Sequence, residues 1–496
     1  MMKRVIGIDF GTTTICAGVL DGEKGEWIDV RTIPNRHEVT SEHSWEKIQD
    51  AAGILQDGLD LVNKLRSAHG PIIGIGLTGQ MHGIVYINEE GSPVSPLYTW
   101  QDGRGDREME NTGKSYAEFI TENSGYSVAS GYGTVTHFYN QVNRLIPKDA
   151  VKLTTIYDAF RIFLLMNRSG IPCCSNSSDL YKKDSLSAAT SQIIPSQGSS
   201  FEPSNLCLHP SSAASFGLYH LDTVDFDREI IRELGMDPDF FPSVSKENRP
   251  SENPDGIFIF PGIGDNQASF AGSVNIPEKA LLINVGTGSQ ISFWTDEPVH
   301  TPGSEIRPYI NNDYLWVGSS LCGGRAFSML EKFFRAAADE AGAPPGSMYP
   351  WMNRLSEQVF TMDNPVTVKP YFSGTRENPS LKGSIEKLGT DNFTPAHLIA
   401  GVLQGTVDEL YEMYFDIREK RKNAPSFLIG SGNGIRKSPV VRKLFEQKFG
   451  IPLYMPNHRE EAAFGAALFA LSGDGSLTNL REVQQLIHFD EEKQNL

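Results

Sequence analysis

The first twenty residues alternate between apolar and polar stretches in a way that predicts a β-hairpin. Residues 5–10 and 15–20 are rich in amino acids that favour strands, and the turn between them reads Gly-Thr-Thr. Asp9 stands near the end of the first strand. Such a turn can direct several backbone N–H groups towards one point, which suits phosphate oxygens, although a plain surface hairpin has the same pattern.

The same pattern returns more than half the chain later. Residues 281–293 again form two apolar runs around a Gly-Thr-Gly turn, with Asn284 at the place of Asp9 and Gly286 at the place of Gly11. Two hairpins of this kind predict two related domains that hold one nucleotide from two sides.

Other stretches have helical or strand-like spacing. Apolar residues recur at helical intervals in residues 44–68, 136–146, 156–166 and 326–338. Apolar runs at 71–77 and 257–260 predict buried strands. The alternation of the two kinds of element indicates an α/β protein. Residues 74–79 match the G-x-G-x-x-G spacing of dinucleotide-binding folds, but strand-like residues follow where that motif requires a helix.

The chain is long enough for two domains. With 496 residues we expect a division into 1–253 and 254–496, and residues 247–256 are the best candidate for a linker. Residues 175–205 are rich in serine, contain two prolines and show no sustained period. This composition predicts a long loop or insertion.

Composition narrows the partners and the compartment. The net charge of -17 and the pI of about 5.2 argue against nucleic acid and anionic membranes as partners. The five cysteines form no C-x-x-C pair, which is typical of a reducing compartment. The sequence shows no signal-peptide core and no apolar run long enough to span a bilayer, so we expect a cytoplasmic protein.

Polar and aromatic side chains become dense at two predicted strand ends. The set comprises Gln80, His82, Trp100, Gln101, Asp102 and Arg104. Amides, an indole face, a carboxylate and a guanidinium group suit a polyhydroxylated ligand, since each hydroxyl can both donate and accept. An ion pair between Asp102 and Arg104 with a purely structural role fits the same spacing equally well.

Asp265 follows the strand predicted at 257–260, in a turn flanked by glycine. A carboxylate there can cap the next helix or act as a general base, and the nearby second hairpin favours the base. Later, a glycine turn at 430–434 would let an adenine or ribose lie against the backbone. Residues 457–460 resemble a capping box before a helix at 461–471, whose small residues allow close approach by a neighbour or a ligand.

Taken in order, these segments resemble the FGGY family of carbohydrate kinases. The most specific motifs are Thr-Gly-Gln-Met-His-Gly at 78–83, Thr-Trp-Gln-Asp-Gly-Arg at 99–104 and Gly-Asp-Asn-Gln-Ala at 264–268. The resemblance implies an actin-like, ribonuclease H-like ATPase fold, with two related domains around a central cleft. The domain 1–253 would bind the sugar, and the domain 254–496 would bind the nucleotide.

The resemblance also implies an activity, which is transfer of the γ-phosphate of ATP to the terminal hydroxyl group of a ketose. The 78–83 motif is similar to both xylulokinases and sedoheptulokinases, and the 99–104 motif is similar to sedoheptulokinases. Sedoheptulose is therefore the expected substrate and xylulose the second candidate. The partners would be a small-molecule sugar and ATP with Mg²⁺, and a homodimer is left open.

By matching position, the resemblance assigns Asp265 as the general base and Asp9 as the residue that organises Mg²⁺. The sugar site would be lined by Gln80, Met81, His82, Trp100, Asp102 and Arg104. Phosphate contacts would come from Gly11, Thr12, Thr13, Gly286 and Thr287. The nucleotide would be surrounded by Gly324, Gly430 and Gly432.

The chain departs from the family pattern in three places. The serine-rich segment is longer than usual, Pro210 and its neighbours replace an acidic residue before an Ala-Ser pair, and Ser438 stands where an asparagine is common. An actin-like or Hsp70-like ATPase without a sugar substrate is the alternative from another class. The polar cluster between Gln80 and Arg104 argues against it, because such an ATPase has no need of those side chains.

Overall fold

A computed structural model describes residues 3–490, apart from 167–200, 246, 248, 300, 302, 376, 377, 379, 421, 422 and 474–479. In this part of the chain the packing forms two compact units. The first unit comprises Met1–Asn275, Pro308–Asn312 and Glu460–Ile487. The second comprises Ile276–Arg307, Asp313–Arg459 and His488–Leu496. Both contain strands and helices, as the α/β prediction requires.

The first unit contains one large sheet and several short strand pairs. Its strands are β1 (Arg4–Phe10), β2 (Thr14–Asp21), β3 (Glu26–Pro34), β4 (Ile48–Gln49), β5 (Gly74–Gly79), β6 (Val85–Ile87), β7 (Leu97–Tyr98), β8 (Glu108–Met109), β9 (Lys114–Ser115), β10 (Lys152–Thr154), β11 (Cys207–Leu208), β12 (Tyr219–His220), β13 (Asp225–Phe226), β14 (Ser243–Val244), β15 (Ser251–Glu252), β16 (Phe258–Ile259) and β17 (Ile263–Gly264). Its helices are α1 (Ala51–His69), α2 (Tyr116–Ser124), α3 (Gly133–Val142), α4 (Ile156–Leu165), α5 (Pro210–Ala214), α6 (Arg228–Glu233), α7 (Asp265–Ser273), α13 (Glu461–Ser472) and α14 (Leu480–Gln484).

The large sheet of the first unit has seven strands. β1, β2 and β3 form an antiparallel meander, and β5 lies parallel to β1 on the other side. β16 and β17 both pair in parallel with β5, and β15 pairs antiparallel with β16. The predicted first hairpin is therefore the β1–β2 connection, and residues 74–79 form a strand rather than a dinucleotide-binding loop.

The second unit repeats this plan. Its strands are β18 (Ala280–Val285), β19 (Ser289–Thr295), β20 (Ser304–Pro308), β21 (Tyr314–Ser320), β22 (Thr367–Lys369), β23 (Ser384–Glu386), β24 (Phe427–Ser431) and β25 (Leu453–Tyr454). Its helices are α8 (Gly323–Glu340), α9 (Tyr349–Ser356), α10 (Pro395–Ile417), α11 (Asn433–Arg436) and α12 (Pro439–Phe449). β18, β19 and β21 form an antiparallel meander, and β24 lies parallel to β18, as β5 does to β1.

Each unit has an apolar core of its own. In the first, Ile6 and Ile8 of β1 pack with Leu59 of α1 and Phe160 of α4, and all four side chains are buried. In the second, a cluster on β18 and β24 packs against α10 and α12. Burial of apolar surface is the main term that stabilises such cores, at roughly 25 cal/mol per Å².

The helix α13 packs against β1, β5 and α7 of its own unit so closely that backbone atoms contact backbone atoms. A Cβ atom built on Gly7 of β1 would lie 1.9 Å from the carbonyl oxygen of Ala463, and one built on Gly76 of β5 would lie 1.8 Å from that of Ala466. A Cβ atom on Gly465 of α13 would lie 1.8 Å from a carbonyl oxygen of α7. Glycine is therefore required at all three positions. The small residues predicted for this helix serve a neighbouring element.

The predicted helices are present with shifted ends. The helices expected at 136–146, 156–166, 326–338 and 461–471 correspond to α3, α4, α8 and α13. The helix expected at 44–68 begins only at Ala51, because residues 48–49 form β4 and pair with β7. The capping box expected before α13 is not formed. The N-cap residue of this helix is Glu460, and its side chain makes no cap hydrogen bond.

The packing divides the chain at points other than the expected boundary after residue 253. Residues 254–275 belong to the first unit because β16 and β17 extend its sheet, and residues 460–487 belong to it because α13 packs on that sheet. The expected linker at 247–256 contains β15, a strand of the same sheet. The division of ligand roles between 1–253 and 254–496 stays a prediction.

Most of the serine-rich segment predicted at 175–205 lies outside the described residues, which resume at residue 201. Within the described ranges, every helix is too short or too polar to cross a membrane.

The contact between α13 and β5 leads to a stability prediction. Gly76→Ala places a methyl group against the backbone of α13, so we expect the unfolding free energy of the first unit to fall by about 2–4 kcal/mol. Gly74→Ala, two residues earlier on the same face of β5, is the matched control because its nearest neighbour is a side-chain atom of Phe260 at 3.3 Å rather than a backbone oxygen at 1.8 Å. Denaturant unfolding measures both variants. Equal losses would contradict the packing described for α13.

Candidate active site

Three parallel strands of the first unit end at the same edge of its sheet. In the strand register, Asp9 of β1 lies opposite Thr78 of β5, and Thr78 lies opposite Ile263 of β17. The chain leaves β5 through Gln80 and leaves β17 through Asp265. The predicted magnesium residue, the predicted base and the start of the predicted sugar motif are therefore neighbours at the carboxyl ends of these strands, where ligands commonly bind in α/β sheets.

Asp265 is the first residue of α7 and is half-buried. The N-cap position of this helix is Gly264, so the carboxylate is not the helix cap that was the alternative interpretation. A carboxylate in the first turn of a helix is also favoured electrostatically by the helix dipole. The position leaves the general-base interpretation of Asp265 in place.

The segment that precedes α7 is held through its backbone. Gly262 donates its N–H to Asp158 Oδ1 at 3.1 Å, and its carbonyl oxygen accepts from Ser212 Oγ at 2.7 Å. Gly264 donates its N–H to Ser211 Oγ at 3.1 Å. The two serines follow Pro210 in the segment that departs from the family pattern. That departure therefore supplies hydroxyl groups that fix the loop of the predicted base.

Asp9 lies near two other carboxylates. Burial raises its pKa to about 7, and the charges of Asp265 and Glu460 add to the shift. Asp9 Oδ1 is buried and accepts no hydrogen bond from the described part of the chain. Glu460 stands just before α13, which packs on β1. A cation beside Asp9 would give this oxygen a partner and would offset the repulsion between the carboxylates.

The arrangement fits a magnesium ion that is held largely through water. Among the described residues, no group of three His, Cys, Asp or Glu side chains could hold a metal ion by itself. Mg²⁺ usually keeps several water molecules and binds through one or two carboxylates together with substrate phosphates. A single carboxylate with an unpaired oxygen, as at Asp9, is consistent with that mode of binding.

The turn between β1 and β2 directs its carbonyl groups towards two amide side chains. Asn35 Nδ2 donates to the carbonyl oxygen of Gly11 at 3.1 Å, and Gln49 Nε2 donates to that of Thr12 at 2.8 Å. The backbone N–H of Asn35 donates to the carbonyl oxygen of Thr13 at 2.9 Å. In a trans peptide the following N–H points the opposite way. The N–H groups of this turn therefore face away from Asn35 and Gln49, as a phosphate-binding turn requires.

Trp100 contacts the same turn. Its Nε1 donates to Thr12 Oγ1 at 3.0 Å, and its side chain is 48% exposed. Gln80 is buried, accepts from Thr12 Oγ1 at 3.4 Å and donates its Nε2 to Gln49 Oε1 at 3.0 Å. The exposed indole face of Trp100 can therefore contact a ligand, whereas Gln80 acts from beneath it.

Met81 is buried and faces the loop of the predicted base. A Cβ atom built on Gly264 would lie 2.7 Å from its sulfur. Its burial suits packing beneath Asp265 better than extensive contact with a sugar. A polarizable, unbranched side chain fills an irregular space of this kind without strain.

His82 combines a strained backbone with a fixed ring. Its φ of 71° lies in a region that residues other than glycine seldom adopt, and such strain is concentrated at functional sites. Nδ1 donates to the carbonyl oxygen of Ser215 at 2.7 Å, and the ring stacks on Tyr132 with 4.4 Å between the centroids. The carbonyl oxygen requires a proton on Nδ1, so in the neutral ring Nε2 is an acceptor, a role that suits a sugar hydroxyl.

Asp102 and Arg104 form the buried ion pair that was the alternative interpretation, and each is 1% exposed. Arg104 Nε donates to Asp102 Oδ1 at 2.6 Å, and Nη2 donates to Glu46 Oε1 at 3.2 Å. The guanidinium group also lies 4.2 Å from the ring centre of Tyr98. The expectation that these two side chains line the sugar does not fit their burial. They instead hold the loop that carries Trp100.

The hairpin turn of the second unit is held by the start of α8. The N–H of Gly324 donates to the carbonyl oxygen of Gly286 at 2.9 Å, and that of Arg325 donates to the carbonyl oxygen of Thr287 at 3.0 Å. The N–H groups that follow these carbonyls again point the other way. A Cβ atom on Gly324 would lie 2.5 Å from the Gly286 oxygen, so this glycine permits the close approach of helix and turn.

The other predicted nucleotide glycines differ in their surroundings. Gly430 lies inside β24, and a Cβ atom there would lie 2.5 Å from the sulfur of Met455, so its position is one of packing. Gly432 has a φ of 81° and lies against the carbonyl end of β18, beside the second turn. Ser438 caps α12 by accepting from the N–H of Val441 at 3.3 Å. This capping role is a structural reason for serine at the third departure from the family pattern.

Several contributors to the site were not found in the sequence. They are Asn35, Gln49, Ser211, Ser215, Tyr132 and Glu460. Each acts on a segment far away along the chain, so no local spacing marks it. The sequence did contain one signal for the position of Glu460. The small residues of the helix that follows it predicted close approach to another element.

Comparison with known proteins agrees with this arrangement. Residues 4–138 match the model of the FGGY family of carbohydrate kinases, N-terminal domain, and residues 281–473 match that of the C-terminal domain. Human (Homo sapiens) sedoheptulokinase is 23% identical over 509 residues, covering 94% of this chain and 97% of the relative. Gluconokinase from Bacillus subtilis (strain 168) is 22% identical over 510 residues, covering 98% and 91%.

A solved structure shows the same fold. The crystal structure of xylulose kinase from Rhodospirillum rubrum superposes with a TM-score of 0.77 at 18% sequence identity, covering 99% of this chain and 93% of that one. The predicted actin-like fold with two domains is thereby confirmed. The two family matches together cover more than half of the chain and include both hairpins. The chain belongs to the FGGY family of carbohydrate kinases, and it is an ATP-dependent sugar phosphotransferase rather than an ATPase without a sugar substrate.

Proposed function

We propose that this protein phosphorylates the terminal hydroxyl group of a ketose, with sedoheptulose as the preferred substrate and xylulose as the second candidate. The observation that carries the proposal is the common sheet edge of Asp9, the 80–82 segment and Asp265. Sedoheptulose is favoured by the resemblance of the 99–104 motif to sedoheptulokinases, whereas the 78–83 motif is similar to xylulokinases and sedoheptulokinases alike.

In this proposal Asp265 accepts the proton of the attacking hydroxyl group. Phosphoryl transfer depends on positioning and on charge neutralisation more than on covalent help from the protein. The hydrogen bond that Gly264 N–H donates to Ser211 Oγ and the one that Ser212 Oγ donates to the Gly262 carbonyl oxygen hold the loop before Asp265 at one place. The rate of proton transfer depends on the placement of the base as well as on its pKa, so these bonds favour Asp265 as the general base.

The sugar would contact the exposed indole of Trp100 and the ring of His82. An indole face suits the C–H groups of a sugar, and a neutral imidazole with a fixed tautomer suits one of its hydroxyl groups. Gln80, Met81, Asp102 and Arg104 would act from below by holding these groups and the base in position. Their burial supports that role.

The phosphates of ATP would be bound by the two hairpin turns, each through N–H groups that face away from their supports. In the first unit these belong to the turn of Gly11, Thr12 and Thr13, and in the second to the turn of Gly286 and Thr287. Gly324 and Gly430 would support the second turn and its strand, and Gly432 would lie beside the nucleotide. Asp9 would hold Mg²⁺, which when bound neutralises phosphate charge.

We further propose a cytoplasmic location, supported by the cysteines. Cys16, Cys207 and Cys322 are free thiols, which suits a reducing compartment, and ATP is abundant there.

The substrate assignment predicts a clear order in a sugar panel. Purified protein with Mg-ATP is tested against sedoheptulose, xylulose, ribulose, gluconate and glycerol, with ADP release and the phosphorylated product both measured. We expect the highest kcat/KM with sedoheptulose and phosphate on its terminal hydroxyl group. A higher value with xylulose would transfer the assignment to the second candidate, and a preference for gluconate or glycerol would contradict a ketose kinase.

The assignment of Asp265 predicts a loss of the chemical step. Asp265→Asn should lower kcat for sugar phosphorylation by about 10²–10⁴-fold, because the amide cannot accept the hydroxyl proton. ATP affinity, measured by calorimetry, should change little. The matched control is Asp255→Asn, which alters a surface ion pair with Arg66 and should leave kcat unchanged. Full turnover in Asp265→Asn would rule out this base.

The raised pKa of Asp9 predicts how stability depends on pH. Because its folded pKa of about 7 lies above the ordinary value of 3.8, the ligand-free folded protein binds more protons than the unfolded chain between those values. Its unfolding free energy therefore falls as pH rises through that window. Asp9→Asn cannot ionise at this position and therefore does not lose stability as pH rises. Its Tm should exceed that of the wild type by a few degrees at about pH 8, and the difference should shrink towards pH 5.

Asp60→Asn, on the exposed face of α1, is the control for the Asp9 variant and should show no such trend. A gain in Tm for Asp9→Asn that does not change with pH would contradict the explanation by burial and carboxylate repulsion.

A further inference from the structure

We propose that Gln49 is a positioning residue that couples the sugar side of the first unit to its phosphate-binding turn, so that efficient ATP turnover requires a sugar beside Trp100. The proposal rests on the proposed function, because it assigns the sugar to Trp100 and phosphate to the 11–13 turn. It adds a residue that neither the sequence motifs nor the comparisons identify.

Gln49 is placed between the two partners by its backbone. It ends β4, where it pairs with Leu97 of β7, and β7 leads directly into Trp100. Its side chain is buried, with 5% exposure. Nε2 donates to the carbonyl oxygen of Thr12 at 2.8 Å, and Oε1 accepts from Gln80 Nε2 at 3.0 Å. One buried amide thus bonds both to the phosphate turn and to the sugar motif.

These bonds close into a ring, the Thr12–Gln49–Gln80 ring. Thr12 Oγ1 donates to Gln80 Oε1 at 3.4 Å, Gln80 Nε2 donates to Gln49 Oε1, and Gln49 Nε2 donates back to the carbonyl oxygen of Thr12. Turning either amide over would set oxygen against oxygen or N–H against N–H. The ring is therefore satisfied in a single orientation of both glutamines, and a buried network of this kind fixes its members firmly.

Trp100 attaches to the ring from outside. Its Nε1–H donates to Thr12 Oγ1 at 3.0 Å, and the proton of the same hydroxyl group is donated to Gln80 Oε1. The indole itself is 48% exposed. A sugar on that exposed face would restrict the indole, and the restriction would pass through Thr12 to the ring and to the N–H groups of the turn.

The coupling matters because phosphoryl transfer is sensitive to placement. N–H groups that meet developing charge must already be in position, and small displacements reduce the rate strongly. If the sugar tightens the turn, the turn when occupied by phosphate must favour sugar binding by the same factor, since coupling between sites is reciprocal. The ring would in this way limit hydrolysis of ATP when no sugar is present.

The test compares two variants that break the path at different points. Gln49→Met keeps the length of the side chain but removes its hydrogen bonds to Thr12 and Gln80, together with the longer one that Oε1 accepts from Asn35 Nδ2 at 3.5 Å. Trp100→Phe keeps an exposed aromatic face but removes the N–H donated to Thr12. The readout is the stimulation factor, which is ATP turnover with saturating sugar divided by turnover without sugar. Loss of one net hydrogen bond corresponds to about a five- to tenfold fall in this factor, and we expect that fall in each variant.

The control is Gln56→Met, a glutamine on the same chain segment whose side chain lies on the surface of α1 and bonds to Asp60. Its stimulation factor should equal that of the wild type. The double variant Gln49→Met with Trp100→Phe should lose no more than the worse single variant, because both act on one path. Multiplying losses in the double variant, or an unchanged factor in both single variants, would overturn the proposal.

A second measurement needs no sugar and separates this proposal from the substrate assignment. The affinity for the Mg²⁺ complex of a non-hydrolysable ATP analogue should fall several-fold in Gln49→Met, because this variant loosens the 11–13 turn. The same affinity should be unchanged in Gln56→Met. If no sugar in the panel stimulates the wild type, the proposed function fails and this measurement alone decides the role of Gln49. An unchanged affinity in Gln49→Met would then overturn it.

Discussion

The candidate active site of the first unit depends on the backbone contact between α13 and the rest of that unit. Gly7, Gly76 and Gly465 have no side chain at the points of closest approach, so the helix lies directly on β1 and β5 and beside α7. Asp9 belongs to β1, Asp265 to α7, and Glu460 precedes α13. The three carboxylates are neighbours because the elements that carry them approach each other at glycine and alanine positions.

That packing brings Asp9 close to two other carboxylates, which is electrostatically unfavourable. Burial, together with the charges of Asp265 and Glu460, raises the pKa of Asp9, and its buried oxygen has no hydrogen bond from the described residues. A site of this kind is less stable empty than occupied, and strain of that sort is common where a cation is bound. The two hairpin turns bond their carbonyl groups to Asn35, Gln49 and the start of α8, so the N–H groups of the same peptides face away from these supports. This orientation is what the proposed binding of phosphate requires.

Much of this was predictable from local patterns. The hairpins, the strand before Asp265 and the polar runs at 80 and 100 follow from apolar periodicity and glycine turns, and their placement at strand ends follows from α/β topology. The spacing of Asp102 and Arg104 could not separate a ligand contact from a buried ion pair, since both require the same two residues. The unit boundaries and the proximity of Glu460 to Asp9 were missed because they depend on segments brought together from opposite ends of the chain. The hydrogen bonds of Gln49 were missed because its partners lie 31 and 37 residues away, outside any local motif.

The position of α13 along the sequence has a consequence for the order in which the protein is made. The helix occupies residues Glu461–Ser472, yet it completes a sheet whose first strand begins at Arg4. During synthesis residues 276–307 and 313–459 of the second unit therefore leave the ribosome before α13 does. A nascent chain that ends anywhere before α13 leaves the glycine faces of β1 and β5 uncovered. Folding of the first unit must wait until residues 461–472 have been made, and until then chaperones would meet its sheet without that helix.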